Sequence, residues 1–125
     1  MRAKILNASA GSGKTYQLAY KYVRDVIGRP DLYRHILAVT FTNKATEEMK
    51  SRILKEIHAL ASGAESGYLE GLCRETGLDA PSIRKRAAEV RAKILHDYSH
   101  FTVLTIDTFF QRILRAFIKE LGLDL

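Results

Sequence analysis

The sequence is poor in the residues that build disulfides, zinc sites and disordered segments. Its 125 residues include one cysteine, Cys73, and two prolines. A single cysteine excludes an internal disulfide and leaves no thiol cluster for zinc. With so few prolines, 46% hydrophobic residues and 27% charged residues, the composition is not that of a disordered chain. The four histidines lack metal-ligand spacing, so we interpret them, like Cys73, as structural or surface groups.

Long apolar runs are also missing. No hydrophobic stretch approaches the roughly 20 residues that span a bilayer, and the apolar stretch after the charged N-terminus is too short for a signal peptide. We therefore predict a cytoplasmic protein with no membrane partner. The length and the hydrophobic content are those of one ordinary domain with a single core.

Positive charge is concentrated in the first half of the chain. The net charge is +6; residues 1–62 hold 11 Lys and Arg against 5 Asp and Glu, whereas residues 63–125 hold 9 of each kind. A basic half favours polyanionic partners such as nucleic acid.

Alternating strand and helix patterns predict an α/β fold. Short apolar runs predict strands over 4–7, 35–41 and 100–106, and helical periodicity predicts helices over 15–27, 46–62, 68–75, 82–98 and 107–121. This order implies a parallel sheet with right-handed crossovers. We expect three strands flanked by helices, a helical insert over 64–98, and an exposed sheet edge beyond the third strand.

A glycine-rich loop joins the first predicted strand to the first predicted helix. Consecutive small residues let backbone N–H groups point at phosphates, and the N-terminus of the helix adds positive potential. Lys14 places a flexible positive charge against the β- and γ-phosphates, and the hydroxyl of Thr15 can ligate magnesium. A chance glycine turn before a lysine does not account for the flanking strand and helix. The predicted ATP–magnesium loop consists of Ala8, Ser9, Ala10, Gly11, Ser12, Gly13, Lys14 and Thr15.

Polar and aromatic residues follow the other two predicted strands, where they lie at the same edge of the predicted sheet as the loop, the rim formed by the carboxyl ends of its strands. Phe41 either stacks on a base or belongs to the core, and the residues alone leave both interpretations open. Asp107 ends an apolar run, but Thr108 stands where an ATPase needs a glutamate, so we interpret Asp107 as a helix cap or a rim contact. The candidate nucleic-acid contacts are Phe41, Thr42, Asn43, Lys44, Thr105, Asp107 and Thr108.

Together the three segments resemble the first conserved blocks of the UvrD/Rep family of superfamily 1 DNA helicases. A-S-A-G-S-G-K-T is similar to the family's motif I, T-F-T-N-K-A-T-E-E-M-K-S-R to motif Ia, and T-I-D-T-F-F-Q-R-I-L-R to motif Ib. The third block has Asp107 where the family usually has histidine, and it is most similar to helicase–nuclease subunits of the AddA/RecB type.

The resemblance implies a RecA-like P-loop fold, with residues 1–125 as the N-terminal part of the first motor domain of a longer ATP-dependent DNA helicase or translocase in repair or recombination. It implies ATP and magnesium as cofactors. It also implies three partners: single-stranded DNA, the remainder of the chain with its second motor domain, and a nuclease domain or subunit. The D-E-x-x motif and the arginine finger are not among these residues, so we predict negligible ATPase activity for them alone.

Two other functions stay open at this point. A small P-loop kinase would use Asp107 as a base and the basic helix over 82–98 as a lid, whereas a non-catalytic module would only bind nucleotide or DNA. In that helix we expect Ile83, Ala87, Val90, Ile94 and Leu95 to face inward. We interpret its outward basic residues as a solvated face instead of a duplex contact; they are Arg84, Lys85, Arg86, Arg91 and Lys93.

Overall fold

The computed structural model describes residues 4–8 and 12–122, in which three parallel strands lie side by side in the order β1-β2-β3. The strands are β1 (Lys4–Ala8), β2 (Ile36–Thr40) and β3 (Thr102–Thr105). The helices are α1 (Ser12–Gly28), α2 (Asn43–Ser62), α3 (Leu69–Thr76), α4 (Ala80–His96) and α5 (Ile106–Glu120). Short 3₁₀ turns, Pro30–Arg34 and Tyr98–His100, precede β2 and β3.

One hydrophobic core lies between the sheet and the helices α1, α2 and α4. α2 packs against both α1 and α4, and it also contacts β2 and β3. The apolar residues that recur along α2 at steps of four and three form its inward face and are buried: Met49, Ile53, Ile57 and Leu60. α4 also supplies four residues to this core: Ile83, Ala87, Val90 and Ile94. The segment 64–98 therefore packs as part of the same body.

The inward assignment of Leu95 is wrong. Its side chain is 68% exposed. The buried residues of α4 recur at steps of four, three and four, and a residue directly after Ile94 is turned away from that stripe by about 100°. Ile94 therefore takes the core position and Leu95 faces outward.

α2 and α5 begin with the same threonine cap. The hydroxyl of Thr42 accepts a hydrogen bond from the Ala45 amide at 3.0 Å, and the hydroxyl of Thr105 accepts one from the Thr108 amide at 3.3 Å. These bonds satisfy donors that a helix leaves unpaired at its start. The prediction that α2 begins at Thr46 and the interpretation of Asp107 as the cap of α5 are therefore wrong.

Two of the basic residues on α4 bind the C-terminal ends of other helices. Arg84 donates to the carbonyl oxygens of Leu60 and Ala64 at 3.1 Å each, and Arg86 donates to those of Ile27 at 3.1 Å and Gly28 at 2.8 Å. Carbonyl oxygens at a helix C-terminus are unpaired and carry partial negative charge, which a guanidinium satisfies. The solvated-face interpretation is wrong for these two arginines.

The last helix leaves its apolar side open. No residue of α5, all of which the structure describes, is buried. A groove of about 320 Å³ lies between α5 and the strands β2 and β3, with Leu37, Leu104 and Ile113 in its wall. Several large apolar residues of this last part of the chain are 49–59% exposed: Phe110, Ile113, Leu114, Phe117 and Leu121.

None of the helices within residues 4–8 and 12–122 combines the length and the hydropathy that crossing a membrane requires.

Candidate nucleotide and nucleic-acid rim

Strand register brings the three sequence motifs to one edge of the sheet. Ala8 at the end of β1 pairs with Thr40 at the end of β2, and Thr40 pairs with Thr105 at the end of β3. Because the strands are parallel, the segments that follow these residues all leave from the carboxyl edge. Ligands of open parallel α/β sheets bind outside this edge. We call the edge, with the segments that follow the three strands, the rim.

The predicted phosphate loop spans the first of these exits. β1 ends at Ala8 and α1 begins at Ser12; Ser9, Ala10 and Gly11 lie outside the described residues, as do the side chains of Ser12 and Lys14. A helix that starts within four residues of a strand end directs its unpaired N–H groups at the rim. This strand–short loop–helix arrangement fits a triphosphate, whose negative charge complements a helix N-terminus.

Thr15 lies in the first turn of α1, next to a polar cavity. Its side chain is 7% exposed, and it borders a cavity of about 490 Å³ between α1 and α2. The cavity wall also contains Glu47, Glu48, Arg52 and Lys55. Two carboxylates balance two cations, so the cavity offers polar partners without a net preference for anions. The lining therefore gives this cavity no net charge that would attract phosphate.

Tyr16 connects this cavity to the helical insert, and the sequence patterns did not single it out. The guanidinium of Arg52 lies 5.4 Å from the centroid of the Tyr16 ring, a distance at which cation–π attraction operates. The ring of Tyr68 meets that of Tyr16 edge-on at 4.9 Å, and the Tyr68 hydroxyl donates to the Tyr16 carbonyl oxygen at 2.8 Å. The residue that follows Thr15 is thus held by α2 and by the segment before α3.

The second exit presents an exposed aromatic ring. Phe41 is 52% exposed, so its interpretation as a core residue is wrong. Thr42, Asn43 and Lys44 are also exposed. The hydroxyl of Thr42 accepts the Ala45 amide in capping α2, and its own hydrogen can still be donated to a ligand. No acidic residue lies in the first turn of α2, which keeps the positive end of the helix uncompensated.

The third exit carries hydroxyls and one carboxylate. Asp107 and Thr108 are exposed, and Thr105 is half-buried. The hydroxyls of Thr105 and Thr108 lie 3.0 Å apart. Asp107 lies in the first turn of α5, where it interacts favourably with the helix dipole but adds negative charge to the rim.

Two buried hydroxyls lie under the second exit, and sequence reasoning missed their role. The hydroxyl oxygens of Thr40 and Thr46 are 2.6 Å apart, and these residues are 1% and 8% exposed. The Thr46 hydroxyl also lies 3.1 Å from the Thr42 carbonyl oxygen, and that of Thr40 lies 3.4 Å from the Leu104 carbonyl oxygen. No periodicity signals such a pair, because its members come from a strand and a helix six residues apart.

The position of α4 bears on the kinase alternative. α1 and α2 run away from the rim, so their C-terminal ends lie at the opposite side of the sheet. Arg84 and Arg86 bind those C-terminal ends. The basic helix therefore does not cover the phosphate loop, and the interpretation of it as a lid is wrong.

Comparison with known proteins identifies a family. The family model described as the UvrD/REP helicase N-terminal domain matches residues 2–124. The chain is 30% identical over 128 residues to the RecBCD enzyme subunit RecB of Escherichia coli (strain K12), an alignment that covers 96% of this chain and 11% of that protein. It is 30% identical over 119 residues to an ATP-dependent helicase/nuclease subunit of Streptococcus sanguinis (strain SK36), covering 95% of this chain and 8% of that protein.

A third relative has a higher sequence identity over a shorter alignment. Over 46 residues, the chain is 52% identical to the ATP-dependent DNA helicase Rep of Escherichia coli (strain K12), which covers 37% of this chain and 7% of that protein. The chain thus spans about a tenth of the length of the curated relatives that it matches. Comparison with solved structures gave no significant match.

Proposed function

We propose that this chain, which belongs to the UvrD/REP helicase family, forms the N-terminal part of the first RecA-like motor domain of an ATP-dependent DNA helicase or translocase in DNA repair or recombination. The observation that carries the proposal is the register of Ala8, Thr40 and Thr105, which joins three motifs at one sheet edge. A motor needs this arrangement, because nucleotide and DNA must contact the same rigid body for hydrolysis to change the grip on DNA.

We propose that residues 8–15 hold ATP and magnesium. The backbone N–H groups of the loop and of the first turn of α1 bind phosphate oxygens, Lys14 neutralises the β- and γ-phosphates, and the Thr15 hydroxyl ligates magnesium. When bound, ATP with magnesium supplies the free energy of phosphoanhydride hydrolysis. The placement of Thr15 in the first turn of α1, against a cavity, supports this assignment.

Single-stranded DNA is proposed to lie along the rest of the rim. The exposed ring of Phe41 offers a face on which a base can stack. Thr42, Asn43 and Lys44 then contact phosphate and sugar beside the positive end of α2. Thr105, Asp107 and Thr108 face the next stretch of the strand.

The remainder of a longer protein is the proposed partner for α5 and the groove beside it. The relatives are about ten times longer than this chain, and an apolar face as exposed as that of Phe110, Leu114 and Phe117 is normally covered. We propose that this remainder includes the second motor domain and a nuclease domain or subunit. We also propose that residues 64–98 are an insert in the motor domain and that the protein works in the cytoplasm. Residues 1–125 alone would then have negligible ATPase activity, because the residues that orient water are supplied elsewhere.

The DNA part of the proposal is tested with an aromatic pair. Phe41→Ala should weaken binding of a fluorescein-labelled oligo(dT) by about 1–3 kcal/mol and leave the melting temperature within about 2 °C, because an exposed side chain contributes little to stability. Phe117→Ala is the matched control: its ring is 58% exposed but lies far along α5 from the rim. Equal DNA affinities for the two variants would contradict the assignment of Phe41.

The nucleotide part is tested with Lys14→Ala. Binding of a fluorescent ATP analogue with magnesium should fall about tenfold or more, since one charge-assisted contact to phosphate is lost. Unchanged affinity would refute the phosphate loop. Nucleotide binding that Lys14→Ala abolishes, without any affinity for oligo(dT), would instead favour the non-catalytic nucleotide-binding module.

A further inference from the structure

We propose that Thr40 and Thr46 are positioning residues, whose buried hydroxyls fix the turn 41–42 against the end of β3 and so hold the two DNA-facing segments in one geometry. This inference rests on the proposed function of the rim and deepens it. Both residues are buried, so they act through the backbone that they position and not by direct contact with DNA.

The distances define a closed group of four oxygens. The two hydroxyl oxygens are 2.6 Å apart, and the Thr46 hydroxyl lies 3.1 Å from the Thr42 carbonyl oxygen. The Thr40 hydroxyl lies 3.3 Å from that same carbonyl oxygen and 3.4 Å from the Leu104 carbonyl oxygen. The group thus joins β2, the turn, the first turn of α2 and β3.

Proton counting shows why the group couples the turn to β3. Two hydroxyls supply two hydrogens, and one of them occupies the short bond between the hydroxyls. If Thr40 donates in that bond, Thr46 donates to the Thr42 carbonyl oxygen. If Thr46 donates, the Thr40 hydrogen is left for a carbonyl oxygen, that of Leu104 or that of Thr42. The turn therefore receives the second hydrogen in two of these three arrangements and β3 in the third, so the two carbonyl oxygens share one donor.

Burial makes the arrangement specific. Thr40 and Thr46 are 1% and 8% exposed, so water does not replace a lost partner, and a buried hydroxyl without a partner is costly. The same backbone that these bonds hold also makes the rim caps, since Thr42 caps α2 and Thr105, which caps α5, pairs with Thr40 across the sheet. Shifting the turn would therefore move Phe41 relative to Thr105 and Thr108.

The test uses Thr46→Val, which keeps the shape and removes the hydroxyl, with Thr76→Val as the matched control. Thr76 also donates to the carbonyl oxygen four residues earlier, at 2.6 Å from Leu72, but it lies in α3. Hydrogen exchange measured by NMR on the whole chain should be about three- to tenfold faster at the amides of Ala45 and Thr46 and at that of Thr108 in the first turn of α5. It should stay unchanged at the Val90 amide in the core.

Two results would overturn the inference at this stage. One is unchanged exchange at the rim amides; the other is an equal acceleration at Val90, which would mean that the whole fold was loosened. Thr46→Ser, which keeps the hydroxyl, should restore slow exchange, and failure of this rescue would count equally against the hydroxyl.

DNA binding forms the second arm of the test. Thr46→Val should weaken oligo(dT) binding about three- to tenfold, while Thr46→Ser and Thr76→Val should leave it unchanged. Full affinity in Thr46→Val would contradict a positioning role. If the unmodified chain bound no oligo(dT), the proposed function would fail, and the exchange arm would still decide whether the hydroxyl pair holds the turn to β3.

Discussion

Replacing Arg84 with methionine should lower the free energy of unfolding by about 1.5 kcal/mol and leave nucleic-acid affinity unchanged. Methionine keeps most of the aliphatic stem of arginine and removes the guanidinium. The perturbation is therefore confined to the hydrogen bonds that Arg84 donates to the carbonyl oxygens of Leu60 and Ala64, each at 3.1 Å, and of Ala59 at 3.5 Å.

The magnitude depends on which hydrogen bonds the carbonyl oxygens still accept after the guanidinium is removed. A hydrogen bond to a charged group contributes about 1.5–3 kcal/mol, but Leu60 and Ala59 keep other partners after the substitution. The Gly63 and Ala64 amides close the end of α2 on those two carbonyl oxygens, at 3.4 and 2.9 Å. Gly63, at φ +82, makes this closure possible, as in a Schellman motif. We therefore expect the lower end of the range, about 1.5 kcal/mol.

Thermal unfolding followed by circular dichroism measures the effect. With an unfolding entropy of about 2 cal/mol/K per residue, a chain of this length should melt about 6 °C lower. Lys85→Met is the control, because Lys85 is the exposed neighbour of Arg84 on the same helix, and it should shift melting by less than about 2 °C. Equal shifts in the two variants would refute the role of the carbonyl contacts, and a loss of DNA affinity in Arg84→Met without a change in melting would indicate a duplex contact instead.

Two further predictions concern the helical insert. Tyr68→Phe removes the hydroxyl that donates to the Tyr16 carbonyl oxygen at 2.8 Å, and it should lower stability in urea by about 1 kcal/mol, whereas no change would mean that the ring packing alone holds this contact. The Asp79 carboxylate caps α4, and the hydrogen bonds that it accepts from Ser82 hold its pKa below the ordinary value. The pKa of Asp79 is lower in the folded chain than in the unfolded chain, where it is about 3.9, so the ionised carboxylate stabilises the fold at pH values above the unfolded pKa. This stabilisation is lost as the pH falls through the folded pKa. The difference in melting temperature between wild type and Asp79→Asn should therefore shrink below pH 4; a difference that stays constant down to pH 2.5 would contradict the charge effect.

Features that depend on local sequence were predictable. The phase of the helix that contains Met49, Ile53 and Ile57 follows from apolar spacing. The stop at Gly63 follows from the need for a left-handed residue after a helix, and the structure gives Gly63 a φ of +82. The parallel pairing of the strands follows from the strand–helix alternation. For the helix phase and its stop the deciding interaction lies within a few residues of the signal, whereas the strand pairing follows from the order of the elements.

Features decided by distant partners were not predictable. Thr42 and Thr46 have equal intrinsic preference for a helix start, and the burial of Thr46 against Thr40 makes Thr42 the cap. The polar spacing of Arg84 indicates an outward residue but not that the end of α2 lies within its reach. Likewise, the apolar stripe of α5 predicts burial, whereas Leu114 is 57% exposed because nothing within residues 4–8 and 12–122 packs over it.

The double attachment of α4 has a mechanical consequence. Arg84 and Arg86 lie two residues apart on α4 and bind the C-terminal ends of α2 and α1, respectively. The N-terminal end of α2 follows Phe41, and that of α1 follows the glycine-rich loop. Because both helices are attached to α4 at their C-terminal ends, neither can tilt without shifting α4 and, with it, the other helix. Deleting 64–98 would remove this connection and leave α1 and α2 joined only by their direct packing, so a displacement at the start of one helix would be passed less effectively to the start of the other.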